Sequence, residues 1–410
     1  MNGPDFTRLD AEDPLAALHE HFDLPPDTVY LDGNSLGALP RNVAARMERT
    51  VRHEWGADLV AGWNRHDWIG LPERVGERIA PLLGAAPGQV LCCDSISVNL
   101  FKLLSAALAL RPGRTVILSE AGNFPTDLYM AEGLQTLLGP GRCELRRPAA
   151  ERILEGLGDD VAVLMLTHVD FRTGRRHNMK AIARAAHEAG ALVLWDLAHS
   201  AGVMPLSLDD SGADLAVGCG YKYLNGGPGA PAFLYVAKRH QQAARQPLAG
   251  WMGHSRPFTF APDYKPAGGI RRYLAGTPGI LGMAAMDAAL DVFEGVSMEA
   301  VRRKSLALTR CFIEALDALG LAGVRLLTPR DGPSRGSQVS LSHPDGYAVV
   351  QAMIERRVIA DFREPDIMRF GFSPLYNRFA DVQLASETLA SVLAGGAYRE
   401  ARFRQRARVT

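Results

Sequence analysis

A single lysine stands between two tyrosines in a glycine-framed stretch, Gly218-Cys219-Gly220-Tyr221-Lys222-Tyr223-Leu224-Asn225-Gly226-Gly227-Pro228-Gly229. Upstream lies Leu192-Val193-Leu194-Trp195-Asp196-Leu197-Ala198-His199, an apolar run that ends in an acid and a histidine. An amine in a loop where glycine lets a ligand approach closely can form a Schiff base. A carboxylate at the end of a buried strand can hold a protonated ring nitrogen. A lysine in such a loop is also an ordinary solvated residue, and an aspartate there an ordinary helix cap. The two together are the pair that pyridoxal phosphate requires: Lys222 for its aldehyde and Asp196 for its pyridine nitrogen.

These groups need a scaffold that brings strand ends together. Short apolar segments at Val90–Cys92, Thr115–Leu118, Val161–Leu166, Leu192–Trp195, Leu215–Gly218 and Ala232–Val236 alternate with helical ones at Val98–Leu110, Pro125–Leu138 and Met179–Ala189. Asn178 is placed to cap the last helix and Gly190 to stop it. This alternation predicts an α/β fold, a mostly parallel sheet covered by helices on both faces. Ligands collect at the carboxyl ends of such strands, where Ser97, Phe124, Thr167, Asp196 and Lys222 fall. The segment 257–277 reads as irregular, followed by a helix over Gly279–Val292. From Met298 the pattern predicts a smaller α+β unit: helices Met298–Leu319, Tyr347–Arg356 and Ala380–Ala394, with strands near Val324–Leu327, Ser337–Leu341, Val358–Asp361 and Met368–Phe372. At the other end, a short helix near Leu15–His21, a strand beginning at Val29 and a helix over Arg41–Leu59 precede a loop at Gly62–Trp68. The division expected is an amino-terminal segment, 1–60, packing with the small domain, a large domain, 61–295, and a small carboxy-terminal domain, 296–410.

The 410 residues suffice for two domains, and 45 basic against 45 acidic residues give no reason to expect a nucleic-acid partner. The five cysteines, Cys92, Cys93, Cys143, Cys219 and Cys311, show neither disulfide nor metal spacing, which fits a reducing cytoplasm and no metal. The polar start, Met1 to Asp13, does not read as a signal peptide, and no apolar run approaches the roughly 20 residues that cross a bilayer.

Three further stretches carry chemistry. Ser95-Ile96-Ser97-Val98-Asn99 opens a helix, where hydroxyls and free N–H groups suit a phosphate, or where a serine merely caps. Gly122-Asn123-Phe124-Pro125-Thr126-Asp127 offers a flat ring to stack on a cofactor and an acid that either bonds the cofactor or caps its helix. His168-Val169-Asp170 is too weak a pattern for a metal.

Taken in order, Ser97-Val98-Asn99-Leu100, Phe124-Pro125-Thr126-Asp127, Asp196-Leu197-Ala198-His199, Tyr221-Lys222-Tyr223-Leu224-Asn225 and Pro374-Leu375-Tyr376-Asn377 resemble the kynureninases. These belong to the class V aminotransferase branch of the fold-type I pyridoxal-phosphate enzymes. The resemblance covers about residues 25 to 395 and implies hydrolysis of L-kynurenine to anthranilate and L-alanine. It implies that Lys222 carries the cofactor and acts as general base, that Asp196 pairs with the ring nitrogen and that Phe124 stacks on the ring. Ile96, Ser97, Asp127, Thr167, His199 and Tyr221 line the cofactor, and Tyr221 serves as an acid. Trp251 and Thr277 match positions that approach the phosphate from the partner subunit of a homodimer. Arg369 matches the arginine that binds the substrate carboxylate, a task suited to its planar fork. Trp63, His66 and Asn34 are expected on the substrate side, with His66 and Asp67 the candidates near the ketone. Trp63 and Thr277 give a bacterial-type pattern, which favours kynurenine over its 3-hydroxy derivative.

The rivals on this fold are a transaminase and a cysteine desulfurase or selenocysteine lyase. The desulfurases need a mobile cysteine in the small domain, whereas Cys311 falls inside a predicted helix. A rival of another class, a binding protein without turnover, sits poorly with Asp196, Lys222 and Arg369 all present.

Overall fold

The computed structural model describes residues 4–406. Its first strand, β1 (Val29–Tyr30), precedes the strands of the large sheet: β2 (Val90–Cys92), β3 (Val116–Ser119), β4 (Glu144–Arg146), β5 (Val161–Thr167), β6 (Leu192–Asp196), β7 (Leu215–Cys219) and β8 (Ala232–Val236). The large sheet runs β2-β8-β7-β6-β5-β3-β4, with β8 antiparallel to both neighbours and the other pairs parallel. Every residue of β5, β6 and β7 is buried, which is why these strands read as unbroken apolar runs rather than alternating ones. Helices Ile96–Leu110, Pro125–Leu138 and Met179–Glu188 connect them. The first is capped by Ser95, whose hydroxyl accepts from Val98 N, and the third by Asn178, which accepts from Ala181 N.

The remaining strands, β9 (Arg325–Leu326), β10 (Gln338–Ser342), β11 (Val358–Ile359), β12 (Asp361–Arg363) and β13 (Ile367–Gly371), belong to the small unit. Its antiparallel sheet has the order β12-β13-β10-β9 and is packed by helices Met298–Leu319, Gly346–Glu355 and Phe379–Gly395. The long helix closes at Gly320, whose φ of 56° is the left-handed cap that glycine tolerates best. β1 pairs in parallel with β11, so the amino-terminal segment is a strand of the small unit. Val29 and Leu31 bury in the small core, whereas Leu15, Phe22 and Ala38 on either side bury in the large one.

Several elements depart from the sequence expectation. The helix expected over 41–59 breaks into an α-helix, Arg41–Arg49, a wide π-type turn, Thr50–Trp55, and a 3-10 turn, Leu59–Ala61. Thr50 sends its hydroxyl to Arg46 O, a local bond that competes with regular helix. Gly62–Arg65 is a helical turn, not a loop. The strand expected over 358–361 serves two sheets as β11 and β12. Among the elements that the sequence reading did not name are helix Phe6–Ala11, without a buried residue, and β4, a short partly exposed edge strand with two charges in three residues.

Candidate active site

The carboxyl ends of the parallel strands open on a cavity of about 360 Å³. Lys222 reaches it from the loop after β7. That loop folds back on itself through a hydrogen bond from Gly226 N to Gly220 O of 2.8 Å. Gly220 packs so closely that a Cβ there would lie 2.5 Å from Pro231 O, so the loop requires glycine. Lys222 Nζ donates to His199 Nε2 at 3.0 Å and lies 5.8 Å from the centre of the Phe124 ring. Burial, and then Lys222, push the His199 pKa well down, so its imidazole is neutral and Nε2 is an acceptor. Among the described residues, buried His199 Nδ1 has no hydrogen-bond partner.

On the same wall, the carboxyls of Asp196 and Asp127 lie side by side, both buried. Asp196 Oδ1 accepts from Ala198 N at 2.7 Å. Burial raises Asp196, but Lys222 and that backbone bond pull it back. Asp127 is raised much further, by burial and then by Asp196 itself. Neighbouring carboxyls in low dielectric share one proton, and here it rests on Asp127. Asp196 therefore keeps the charge. Neither oxygen of Asp127 meets a donor among the described residues.

Thr167, at the end of β5, donates to Asn123 Oδ1; Asn123 Nδ2 donates to Ser119 Oγ at 3.0 Å, which donates to Met165 O at 2.7 Å. This chain ties β3 to β5 beneath the cavity. Ile96 and Ser97 line it at the start of their helix, and Tyr221 flanks Lys222. The Tyr221 pKa is pushed up to about 12 by burial and by Cys219 and Asp196, so the phenol keeps its proton near neutral pH.

Nine residues expected around the cofactor, Ile96, Ser97, Phe124, Asp127, Thr167, Asp196, His199, Tyr221 and Lys222, thus line one cavity. The others lie elsewhere in the single chain. Thr277 lines a neighbouring cavity of about 370 Å³ that shares Asp94 and Gly229 with the first. Trp251 stacks on Phe260 and meets the edge of Phe258. Trp63 packs edge-on against Trp68, His66 Nε2 bonds Asp58 Oδ2 at 2.8 Å, and exposed Asp67 pairs with Arg74 at 2.9 Å. Asn34 is buried, with Nδ2 donating to Gln338 Oε1 at 3.2 Å. Arg369 is 2% exposed and sits behind Phe171, whose carbonyl accepts from its Nη1 at 2.9 Å.

The sequence reading missed two parts of the site. Phe171 lines the cavity and meets Phe124 edge-on at 5.1 Å. It follows β5 by a few residues, so the strand-end rule could have found it. Asp94, at the rim, is held by the fully buried Lys102, whose Nζ donates to Asp94 Oδ2 and to Tyr273 O at 2.5 Å each. A lysine within an apolar helical run was the available signal.

The cavity fits pyridoxal phosphate on grounds of its own: orphaned buried atoms on Asp127 and His199, an aromatic face at Phe124 and a capped helix start at Ser95. A buried acid ending β6 and a lysine following β7 place the chain among the fold-type I pyridoxal-phosphate-dependent enzymes. Solved structures share this fold: a cysteine desulfurase from Thermococcus onnurineus NA1 (TM-score 0.74, 19% identity, covering 96% of this chain and 99% of that one), and a C-DES mutant with glycine linked to its PLP cofactor (TM-score 0.77, 19% identity, 91% and 98%). Residues 301–389 match the family described as the kynureninase C-terminal domain. Over almost its whole length the chain is similar to the kynureninases of Burkholderia pseudomallei (strain 1106a), 52% identical over 411 residues and 98% of each chain, and of Deinococcus radiodurans, 53% identical over 391 residues, 94% of this chain and 95% of that one. The chain belongs to the kynureninase family.

Proposed function

We propose that the cavity around Lys222 hydrolyses L-kynurenine to anthranilate and L-alanine with pyridoxal phosphate as cofactor. The observation that carries this reading is the placing of Lys222 Nζ beside neutral His199 in the cavity whose wall holds the charged Asp196. Family membership supplies the substrate.

Bound pyridoxal phosphate supplies an aldehyde for amines and a ring that accepts electrons from Cα. Asp196, charged because Asp127 holds the shared proton, would pair with the ring nitrogen and keep it protonated. Phe124 would offer its face to the ring. The start of helix Ile96–Leu110, with Ser97, takes the phosphate. Lys222 would hold the cofactor, and its Nζ would serve as the base that takes the proton from the substrate Cα. His199 Nε2 accepts from Nζ and orients it. Tyr221 keeps a phenolic proton to deliver to Cβ as anthranilate leaves. Thr167 lines the pocket, its own proton committed to Asn123. Arg369 receives the substrate carboxylate, and Asn34, Trp63 and His66 belong to the substrate side. Water adds to the side-chain ketone, and its oxygen leaves in the anthranilate carboxylate.

Cys311 speaks against a desulfurase reading. It is 2% exposed within helix Met298–Leu319, and burial pushes its thiol up to about 11. A buried, protonated thiol is a poor nucleophile.

The active unit is a homodimer in which Trp251 and Thr277 complete the phosphate end of the partner's site. Exposure of Phe258 (63%) and Phe260 (74%) beside Trp251 supports this, since large apolar groups of that kind favour a partner. Kynurenine is preferred to its 3-hydroxy derivative, following Trp63 and Thr277. The amino-terminal segment spans 1–60, the large domain 61–295 and the small one 296–410, of which 1–3 and 407–410 lie outside the described residues. Among these no helix is long and apolar enough to cross a membrane; a cytoplasmic location is proposed. The experiment is direct: the purified protein, supplied with pyridoxal phosphate and L-kynurenine, releases fluorescent anthranilate, and no fluorescence overturns the reading.

A further inference from the structure

Arginine has five N–H donors, and in Arg369 four of them are engaged. Nε donates to Asp361 Oδ1 at 2.7 Å, Nη2 to Asp361 Oδ2 and to Ser35 Oγ at 3.1 Å, and Nη1 to Phe171 O at 2.9 Å. The two-pronged edge expected to meet a substrate carboxylate therefore already carries a carboxylate of the protein. Ser35 closes the ring: its hydroxyl donates to Asp361 Oδ2 at 2.6 Å while accepting from Arg369. Three segments meet here: the turn after β1 and, more than 300 residues further on, the consecutive strands β12 and β13, with Asp361 directly opposite Arg369 in the register. The Phe171 carbonyl adds a fourth, and its ring lines the cavity.

We propose that Asp361 is a positioning residue for substrate recognition: with Ser35 it fixes the guanidinium of Arg369, so that the remaining Nη1 N–H meets the substrate carboxylate end-on. Charge balance favours this arrangement. Arg363 Nη2 also pairs with Asp361 at 2.8 Å, giving two cations to one firm anion. Against burial, which raises it, the hydrogen bonds from Arg369 hold Asp361 below the usual carboxylate range. The other carboxyl of the cluster, Asp32, is pushed up to about 7 by burial and by Asp361. Tyr30, Tyr223 and Tyr376, which also face Asp32, remain neutral phenols. Below pH 7 the cluster thus keeps a net positive charge for an incoming carboxylate, without Asp361 having to leave. An arginine held by four bonds loses little freedom on binding, which is where a positioning residue acts.

The inference rests on Arg369 receiving the substrate carboxylate, and the test separates the two. Steady-state kinetics with L-kynurenine are measured for the holoenzyme and for the variants Asp361→Asn, Asp361→Glu, Ser35→Ala and Arg369→Lys, each with a pyridoxal-phosphate titration followed by absorbance. Asp361→Asn is expected to raise KM about tenfold or more while kcat moves less than about threefold. Cofactor affinity stays unchanged, and Asp361→Glu restores part of the loss. Ser35→Ala leaves both charges in place and moves KM in the same direction by less, which keeps the test intact if Asp361→Asn does not fold. A KM unchanged or lowered in Asp361→Asn and Ser35→Ala, with Arg369→Lys raising it, overturns the positioning role alone and makes Asp361 a competitor. A KM unchanged in Arg369→Lys as well overturns the assignment of Arg369 and this inference with it.

Discussion

Replacing Asp196 by asparagine separates charge from shape at the heart of the site. The amide keeps the acceptor for Ala198 N, now 2.7 Å from Oδ1, and turns an N–H₂ group toward Asp127, whose oxygens meet no donor among the described residues. The fold therefore survives, and the buried pair is better satisfied than before. What disappears is the anion proposed to pair with the ring nitrogen. A charge-assisted hydrogen bond contributes about 1.5–3 kcal/mol, so kcat should fall by about ten- to a hundred-fold or somewhat more. Asp127→Asn is the control. Its amide supplies to Asp196 the same hydrogen that protonated Asp127 supplies, and kcat should stay within about threefold of wild type. Anthranilate fluorescence at saturating L-kynurenine gives kcat for both, and absorbance shows that cofactor is bound. Equal losses in the two variants, or a near-normal Asp196→Asn, would falsify the assignment of the charge to Asp196.

Lys222→Ala should abolish turnover and prevent borohydride from fixing the cofactor to the chain, with the far-ultraviolet spectrum unchanged; a cofactor still fixed elsewhere in the chain removes Lys222 from its role. Asp32→Asn should change stability with pH. A carboxyl raised from its ordinary 3.8 to about 7 contributes stability that is full below pH 3.8 and lost as the pH rises through 7. The wild type should thus lose about 2.5 kcal/mol more than the variant between pH 5 and pH 8, read as diverging denaturation midpoints, and parallel curves would show that Asp32 titrates normally. Mixing Lys222→Ala with Thr277→Arg chains, each inactive alone, should restore part of the activity after joint refolding. Mixed dimers without activity would count against a shared site.

The legible parts of this protein were those written locally. The unbroken apolar runs of β5, β6 and β7 declared buried parallel strands, and the residues that end or follow them, Thr167, Asp196 and Lys222, line one cavity. Asn178 and Gly190 marked helix ends because capping is decided within a few residues. Structure that depends on distant partners left no such trace. Asp361 was read as the end of a strand, because nothing nearby reveals that Arg369 and Ser35 converge on it. For the same reason the fork of Arg369 was expected to stand open, whereas the fold fills its two-pronged edge. Lys102 stands within an apolar helical run, and its burial goes with Asp94 and Tyr273 meeting its amine. Trp251 and Thr277 lie outside the main cavity of the chain.

The stitching of the amino-terminal turn into the small unit bears on how the molecule is born. Gly37 N donates to Tyr221 O at 2.8 Å, while Ser35 bonds Asp361, 326 residues further along. Ribosomes deliver the chain from its amino terminus, and domains fold as units when they emerge. The cofactor end, built from residues between Asp94 and Ala232, is complete in sequence long before β12 and β13 exist. The turn that carries Ser35 must therefore wait, docked on the lysine loop, until nearly the whole polypeptide has been made. Nascent chains arrested before Asp361 should trap pyridoxal phosphate yet remain blind to the amino acid, so that the catalyst acquires its cofactor first and its selectivity last.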